Sequence, residues 1–476
     1  MSSEHFTPDR RTFLKRGGAA VAATIAPWTM NLAAMAEAAA ATSGTSSQDD
    51  YKAIVCVFLQ GGNDHGNTLV PFDQASYDTY LAARPSVAIA RQSLNGLALS
   101  PVDALPSGRQ MALAPALTDL KPLFDDGRMA VLLNIGPLQG PTSRADYYQN
   151  RSLPPKLFSH NDQQAVWQSS HPEGALTGWG GVIGEQGLPA VASRQARDNL
   201  ACVNLSGNAV FLAGETASQY MVDPLGVQPL RLLQQSYFGA SGLSNAFRAV
   251  SVNLGNDAHW LARRHAGVLR SALDTNSLLR AEVDAAGARI QPLTGAGESM
   301  RLRLQLNMVA RIIEARQRLG LRRQVFFVSL GGFDHHDNLS GSHPVLLQRV
   351  GEALAAFQAD LSTLGVEDQV TTFTASDFGR TMNSNGNGSD HGWGSHHFVL
   401  GGAVRGQRFY GTLPDVVGGE TDIGQGRLLP TTAVDHLSAT LARWMGVTDA
   451  SALSRIAPYL SRWNGQNPLS ALLTGV

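Results

Sequence analysis

The chain has 476 residues, 43% of them hydrophobic and 16% charged, with a formal net charge of −1. That composition fits a globular, core-forming protein, and the length allows an α/β enzyme built around a single sheet. No basic stripe stands out along it, which argues against nucleic acid as a partner.

The N-terminus reads as an export signal. Asp9-Arg10-Arg11-Thr12-Phe13-Leu14-Lys15 is a twin-arginine pattern, an address read by a receptor. A weakly apolar run from Gly17 to Ala26 follows, and Ala34-Met35-Ala36 offers a small-x-small cleavage site. The run is too short, and too broken by Gly17, Gly18 and Pro27, to persist as a membrane span. Losing residues 1–36 turns 37 basic and 38 acidic residues into 33 and 36, so the mature chain carries −3. The expected location is the periplasm or outside the cell. Residues 37–50 (EAAAATSGTSSQDD) read as a linker. Residues 51–476 read as one α/β domain.

Ala53–Leu59 (AIVCVFL) is a continuous apolar run, as a strand buried on both faces requires. It leads directly into Gln60-Gly61-Gly62-Asn63-Asp64-His65. Residues 116–127 predict a helix, Met129–Asn134 a second buried strand, and a further helix starts near Ser159. Residues 171–300 are read as an insertion or cap on the main sheet. In Ser299–Leu319, Leu302, Leu306, Val309 and Ile313 recur at helical spacing, and Gly320 stops the pattern. Gln324–Leu330 is then a strand, Val345–Leu364 a helix, Val370–Ala375 a strand, Phe398–Leu400 the start of another, and Ala433–Met445 a final helix. Alternating helices and apolar strands imply a mainly parallel sheet covered on both faces. Cys56 and Cys202 could pair in an oxidising compartment. Cys56 lies inside a strand, however, which favours two core thiols.

Three of the strands end in acids: Asp64, Asp334 and Asp377. Ligands of open α/β sheets bind beyond the carboxyl ends of strands. Carboxylates gathered there without a cation would repel one another. Residues 369–402 add Arg380, Asp390, His391, His396 and His397. Carboxylate oxygens and imidazole nitrogens form the ligand set of a Zn²⁺- or Mn²⁺-type centre. The bland alternative is a polar loop whose histidines cap and hydrogen-bond. Asp334 and His336 are two apart on an extended chain and so share a side, which selects His336 over His335. The sequence leaves open which of His396 and His397 faces inward. Ser159, before a helical pattern, is a candidate nucleophile or an ordinary N-cap. His160 joins it as a catalytic candidate, and Thr142 and Ser143 stand in reserve. Arg380 would clamp an oxyanion or neutralise the acids.

GGNDHGNTLVP, LPPKLFSHNDQQ, GGFDHHDN, SDFGRT and DHGWGSHHFVLGGAV together resemble the family called domain of unknown function 1501, over about residues 50–465. That resemblance implies an alkaline-phosphatase-like fold, alongside sulfatases and phosphomutases. It also implies a two-metal hydrolase or transferase whose activated hydroxyl attacks phosphorus or sulfur. The superfamily's first-strand aspartate falls on Asp64 and its nucleophile on Ser159. Its Asp-plus-His pair falls on Asp334 and His336, its late acid on Asp377, and its final histidine on His391 or on His396/His397. The metals implied are Zn²⁺, Mn²⁺, Mg²⁺ or Ca²⁺. The superfamily's Asp-His-Gly after the late strand is here Asp377-Phe378-Gly379, with Asp390-His391-Gly392 thirteen residues later. No Cys-x-Pro-x-Arg string is present, which argues against a formylglycine sulfatase. The functions to weigh are an exported hydrolase of a phosphate or sulfate ester, a non-catalytic binding or assembly protein with an exported protein partner, and an envelope phospho-group transferase. The expected substrate is a small-molecule, glycan or lipid ester.

Overall fold

The computed structural model describes residues 50–476 apart from 187–197, 208, 229–241, 255–257, 287–288 and 296. The signal expected at residues 1–36 and nearly all of the linker expected at 37–50 lie outside the described residues. Met1–Tyr51 and Lys52–Val476 separate as two units, and the second carries the sheet.

Its strands in chain order are β1 (Lys52–Leu59), β2 (Leu69–Pro71), β3 (Met111–Leu113), β4 (Met129–Gly136), β5 (Cys202–Asn204), β6 (Tyr220–Met221), β7 (Arg323–Leu330), β8 (Val370–Ser376), β9 (Arg380–Ser384), β10 (Ser389–His391), β11 (Ser395–Leu400), β12 (Arg408–Tyr410) and β13 (Thr432–Ala433). Nine of them form the main sheet, in the order β12-β4-β11-β8-β1-β7-β5-β6, with β13 also on β4. All neighbours run parallel except β11, which is antiparallel to both β4 and β8. The fold is therefore α/β with a mainly parallel sheet. β9 and β10 make a separate hairpin, and β2 and β3 another pair. β5 and β6 extend the sheet beside β7, so this part of the 171–300 stretch is sheet edge.

The apolar runs are buried on both faces, as their composition demands. Ile54, Cys56 and Phe58 join Phe327 and Phe373 in one core, which the helices Trp179–Gln186, Val434–Trp444 and Ala450–Ile456 complete. Val55 and Val57 alternate to the opposite face. There the helices Arg301–Glu314 and Leu339–Leu364 supply Gln305, which both donates to and accepts from the Ser329 backbone, and Gln358, which reaches Thr372. Cys56 and Cys202 are free and buried, and burial pushes the Cys202 thiol up to about 12. Among the described residues no helix is long and apolar enough to cross a membrane.

The pairing register decides where the chemistry goes. Leu59 lies opposite Leu330 on one side and Ser376 on the other. The segments after β1, β7 and β8 therefore leave the sheet at one level. Their loops touch: Gly61 has φ +115°, and a Cβ there would come within 2.5 Å of the Asp334 backbone nitrogen. A side chain would force the two loops apart.

Candidate metal centre

Asp334 is the hub of the site. It follows β7 through a Gly-Gly-Phe loop and stands 43% exposed at the sheet end. Three imidazoles present Nε2 to its carboxylate: His336 at 3.2 Å, His391 at 3.2 Å and His160 at 3.4 Å. His336 lies on the same side as Asp334, reached by a turn in which its N–H donates to the Asp334 carbonyl. His391 closes the β9–β10 hairpin, and His160 opens the helix His160–Ser169. Donor atoms of His160, Asp334 and His391 all lie within 4.8 Å of one another.

The other ring nitrogen of each histidine is tied to an acceptor. His160 Nδ1 donates to Asp377 Oδ2 at 2.7 Å, His391 Nδ1 to the Phe158 carbonyl at 2.8 Å, and His336 Nδ1 faces Asp390 Oδ1 at 3.4 Å. Such tethers fix the tautomer and leave the Nε2 lone pair pointing inward. His336 Nε2 and His391 Nε2 sit 2.8 Å apart. Two bare lone pairs at that distance repel unless a proton or a cation lies between them. The residues therefore fit a bound divalent ion, with His160, Asp334 and His391 as the mutually close donors and His336 beside His391.

The tethers are themselves held. Asp377 is fully buried, Gln164 donates to the same Oδ2, and Oδ1 has no protein partner. Asn385 donates to Asp390. Phe158 adopts φ +71°, a conformation rare for a bulky side chain and typical of functional sites. The Phe378 ring packs against His160 and His391 with centroids 4.8 and 4.5 Å away.

Arg380 is the buried counter-charge. Its Nη1 donates to Asp334 Oδ1 at 2.9 Å and to the Gly61 carbonyl at 3.0 Å, while Nε and Nη2 hold Ser389. Burial works against an ionised Asp334, yet the Arg380 hydrogen bond and charge, helped by His336 and His160, hold its carboxyl below the usual range. The Asp377 hydrogen bond pushes His160 up. Desolvation pulls His391 down.

Several sequence candidates lie elsewhere. Asp64 is fully buried at the end of β1 but turns away to Arg84, whose Nη1 is 3.0 Å from both carboxylate oxygens. Burial opposes its charge, and Arg84 outweighs that, so the carboxyl falls to about 2. His396 and His397 are buried in β11. His396 Nδ1 accepts the Asn134 backbone N–H, and His397 Nδ1 lies 3.3 Å from Thr374 Oγ1. Desolvation holds both neutral, with His397 at about 3. The Ser159 hydroxyl donates to Asp162 at 2.8 Å and makes no cap bond. Ser143 caps the helix Arg144–Tyr148, and Thr142 bonds the Gly140 carbonyl. His335 is buried against the rings of Phe333 and His343.

A family model described as "Protein of unknown function (DUF1501)" matches residues 51–457. No curated protein matches the chain. Solved structures resemble it distantly. The lipoteichoic acid synthase LtaP from Listeria monocytogenes is 8% identical, with 85% of this chain and 76% of that one covered at a TM-score of 0.32. The PsFucS1 sulfatase from Pseudoalteromonas sp. is 9% identical, with 84% and 68% covered at 0.36. The soluble domain of lipooligosaccharide phosphoethanolamine transferase A from Neisseria meningitidis is 10% identical, with 90% and 95% covered at 0.30.

Proposed function

This chain belongs to the DUF1501 family of proteins of unknown function, and from the centre it builds we propose an exported, metal-dependent hydrolase of a phosphate or sulfate ester. One observation carries the reading. Three histidines, each tethered through Nδ1, aim Nε2 at the carboxylate of Asp334. Nothing in the packing of a sheet requires that convergence. The motif resemblance to the alkaline-phosphatase-like superfamily supports the ester class.

His160, His336, His391 and Asp334 would hold the ion. Bound there, a divalent cation supplies Lewis acidity toward an ester oxygen and lowers the pKa of a coordinated hydroxyl or water. The protein's own groups do the rest. Asp377, Asp390 and the Phe158 carbonyl keep the rings in orientation. Arg380 offsets the charge of Asp334. His336 is 48% exposed and Asp334 43%, so an ester in solution reaches the centre.

One observation favours the binding or assembly reading instead. The Ser159 hydroxyl is engaged by Asp162, whose other oxygen lies 3.3 Å from Lys156 Nζ. As nucleophile, Ser159 would have to leave that bond. A panel of aryl phosphate monoesters, diesters and sulfates, offered to protein reloaded with Zn²⁺ or Mn²⁺, separates the readings. Hydrolysis abolished by Ser159→Ala supports the serine route. Hydrolysis that survives it moves the nucleophilic role to water. If no ester is cleaved with any ion, the hydrolase reading is wrong and the binding reading replaces it.

A further inference from the structure

We propose that the centre holds one divalent cation of the zinc type per chain, not two, because two buried arginines occupy the carboxylates that a second ion would need. The inference rests on the metal centre proposed above and fixes its stoichiometry and its choice of ion.

A second ion at the ends of β1, β7 and β8 would draw on Asp64, on a shared Asp334 carboxylate and on the Asp377 oxygen that His160 leaves free. Asp64 is spent. Both of its oxygens lie 3.0 Å from Arg84 Nη1, and Oδ1 also accepts the Gly66 N–H. Arg84 cannot swing aside, because the same Nη1 donates to Asn67 Oδ1, Nε to the Met382 carbonyl and Nη2 to the Thr381 carbonyl. Both side chains are completely buried. Arg380 is equally buried, and it is stitched to Gly61, Ser389 and Asp334 Oδ1. A guanidinium at 2.9 Å crowds that oxygen, which His336 and His391 also face, and the other oxygen faces His160, so the Asp334 carboxylate has no free side to share with a second ion. Asp377 Oδ1 is left with no protein partner. One oxygen does not make a site, since zinc takes about four donors and calcium six or more.

The charges agree with the geometry. Three strand-end carboxylates face two guanidinium groups, so one negative charge remains. A single divalent ion more than offsets that remaining charge, so none of the three strand-end carboxylates calls for another. The donor set also discriminates among ions. Imidazole-rich sites suit zinc-type ions, whereas Mg²⁺ and Ca²⁺ want oxygen shells.

The test is a count. Full-length protein stripped with chelator is titrated calorimetrically with ZnCl₂ alone, then desalted and assayed for metal by mass spectrometry. One zinc per chain is expected, retained against a hundredfold excess of Mg²⁺ or Ca²⁺. His336→Ala and His391→Ala should each lose it, and Arg380→Lys should keep the count at one. His336 is half-exposed and so is a variant expected to fold. Two zinc ions per chain, or displacement by Ca²⁺, would overturn this inference while leaving a metal centre in place. No bound ion at all would sink the metal centre itself.

Discussion

Asp64→Asn separates a structural carboxylate from a ligand. The substitution preserves shape and removes charge. Arg84 would then keep its guanidinium fully buried, with main-chain carbonyls and Asn67 for company but no counter-ion. Removing one partner of a buried ion pair typically costs about 3–5 kcal/mol. A second route gives a similar size. The carboxyl sits at about 2 instead of its ordinary 3.8. Burial alone would have raised it, and Arg84 more than reverses that. A displacement of nearly two units, at about 1.4 kcal/mol per unit, amounts to roughly 2–3 kcal/mol. The smaller figure counts the proton on Asp64 alone, while the larger includes the arginine left behind. Urea unfolding of metal-stripped protein should therefore show the variant less stable by roughly 2–5 kcal/mol. The pH dependence has a definite sign. A carboxyl whose folded value lies below its unfolded one adds stability above pH 4 or so and loses it as pH falls through about 2. The gap between wild type and variant should narrow along that limb. Unchanged unfolding in the stripped state, combined with lost metal binding, would make Asp64 a ligand and refute the ion-pair argument.

Asp377→Asn keeps a group beside His160 but loses the charged acceptor of its Nδ1–H; zinc affinity should drop by about 10–100-fold, read by chelator competition. An unaltered affinity would remove Asp377 from the support of the centre. Asp435 is buried, and desolvation raises it to about 6 despite bonds from Ser170 and the Tyr459 N–H. Its protonated form is favoured in the fold, so its contribution is fully present below pH 3.8 and is lost as pH rises through about 6. Asp435→Asn should flatten the fall in melting temperature between about pH 4 and 6, and an unchanged slope would exclude Asp435 as its source. Arg10→Lys with Arg11→Lys should leave precursor in the cytoplasm on fractionation, because the pair is the export address. Normal appearance of mature protein in the periplasm would dismiss that signal.

How much of this was legible in the sequence varies by residue. The apolar runs of β1, β4 and β7 announce themselves, because strands buried on both faces leave no room for polar alternation. Two-residue spacing selects His336 as the neighbour of Asp334, and the structure sets them 3.2 Å apart, through a turn in which the His336 N–H donates to the Asp334 carbonyl and not through extended chain. The helix over residues 345–364 begins earlier, at Leu339, with Pro344 inside it. Arg84 carried no usable signal. It follows the helix Gln74–Ala83, twenty residues from Asp64, and only the tertiary fold brings it under the sheet end. Phe158 contributes a carbonyl, which side-chain chemistry cannot reveal. His396 and His397 misled because a histidine pair after a Gly-rich loop suggests loop ligands. The strand begins at Ser395, three residues before the apolar run, and so draws both rings into the sheet.

The division of labour among the acids has a physical logic. A sheet that ends three strands in carboxylates must neutralise them before it can pack. If cations did this alone, the fold would wait for metal, as it does in small zinc domains. Here Arg84 and Arg380 come from the chain itself and are buried with the core, so Asp64 and one oxygen of Asp334 are compensated when the chain folds. The histidines differ: desolvation favours the neutral form at His391, whereas the Asp377 hydrogen bond favours the charged form at His160. The hub stands half-exposed, so an arriving ion would displace a proton where His160 holds one. Metal binding then becomes a late step on a finished scaffold. That order would suit the twin-arginine export proposed above, a route that carries folded cargo, since the scaffold can be complete whether or not the ion has arrived.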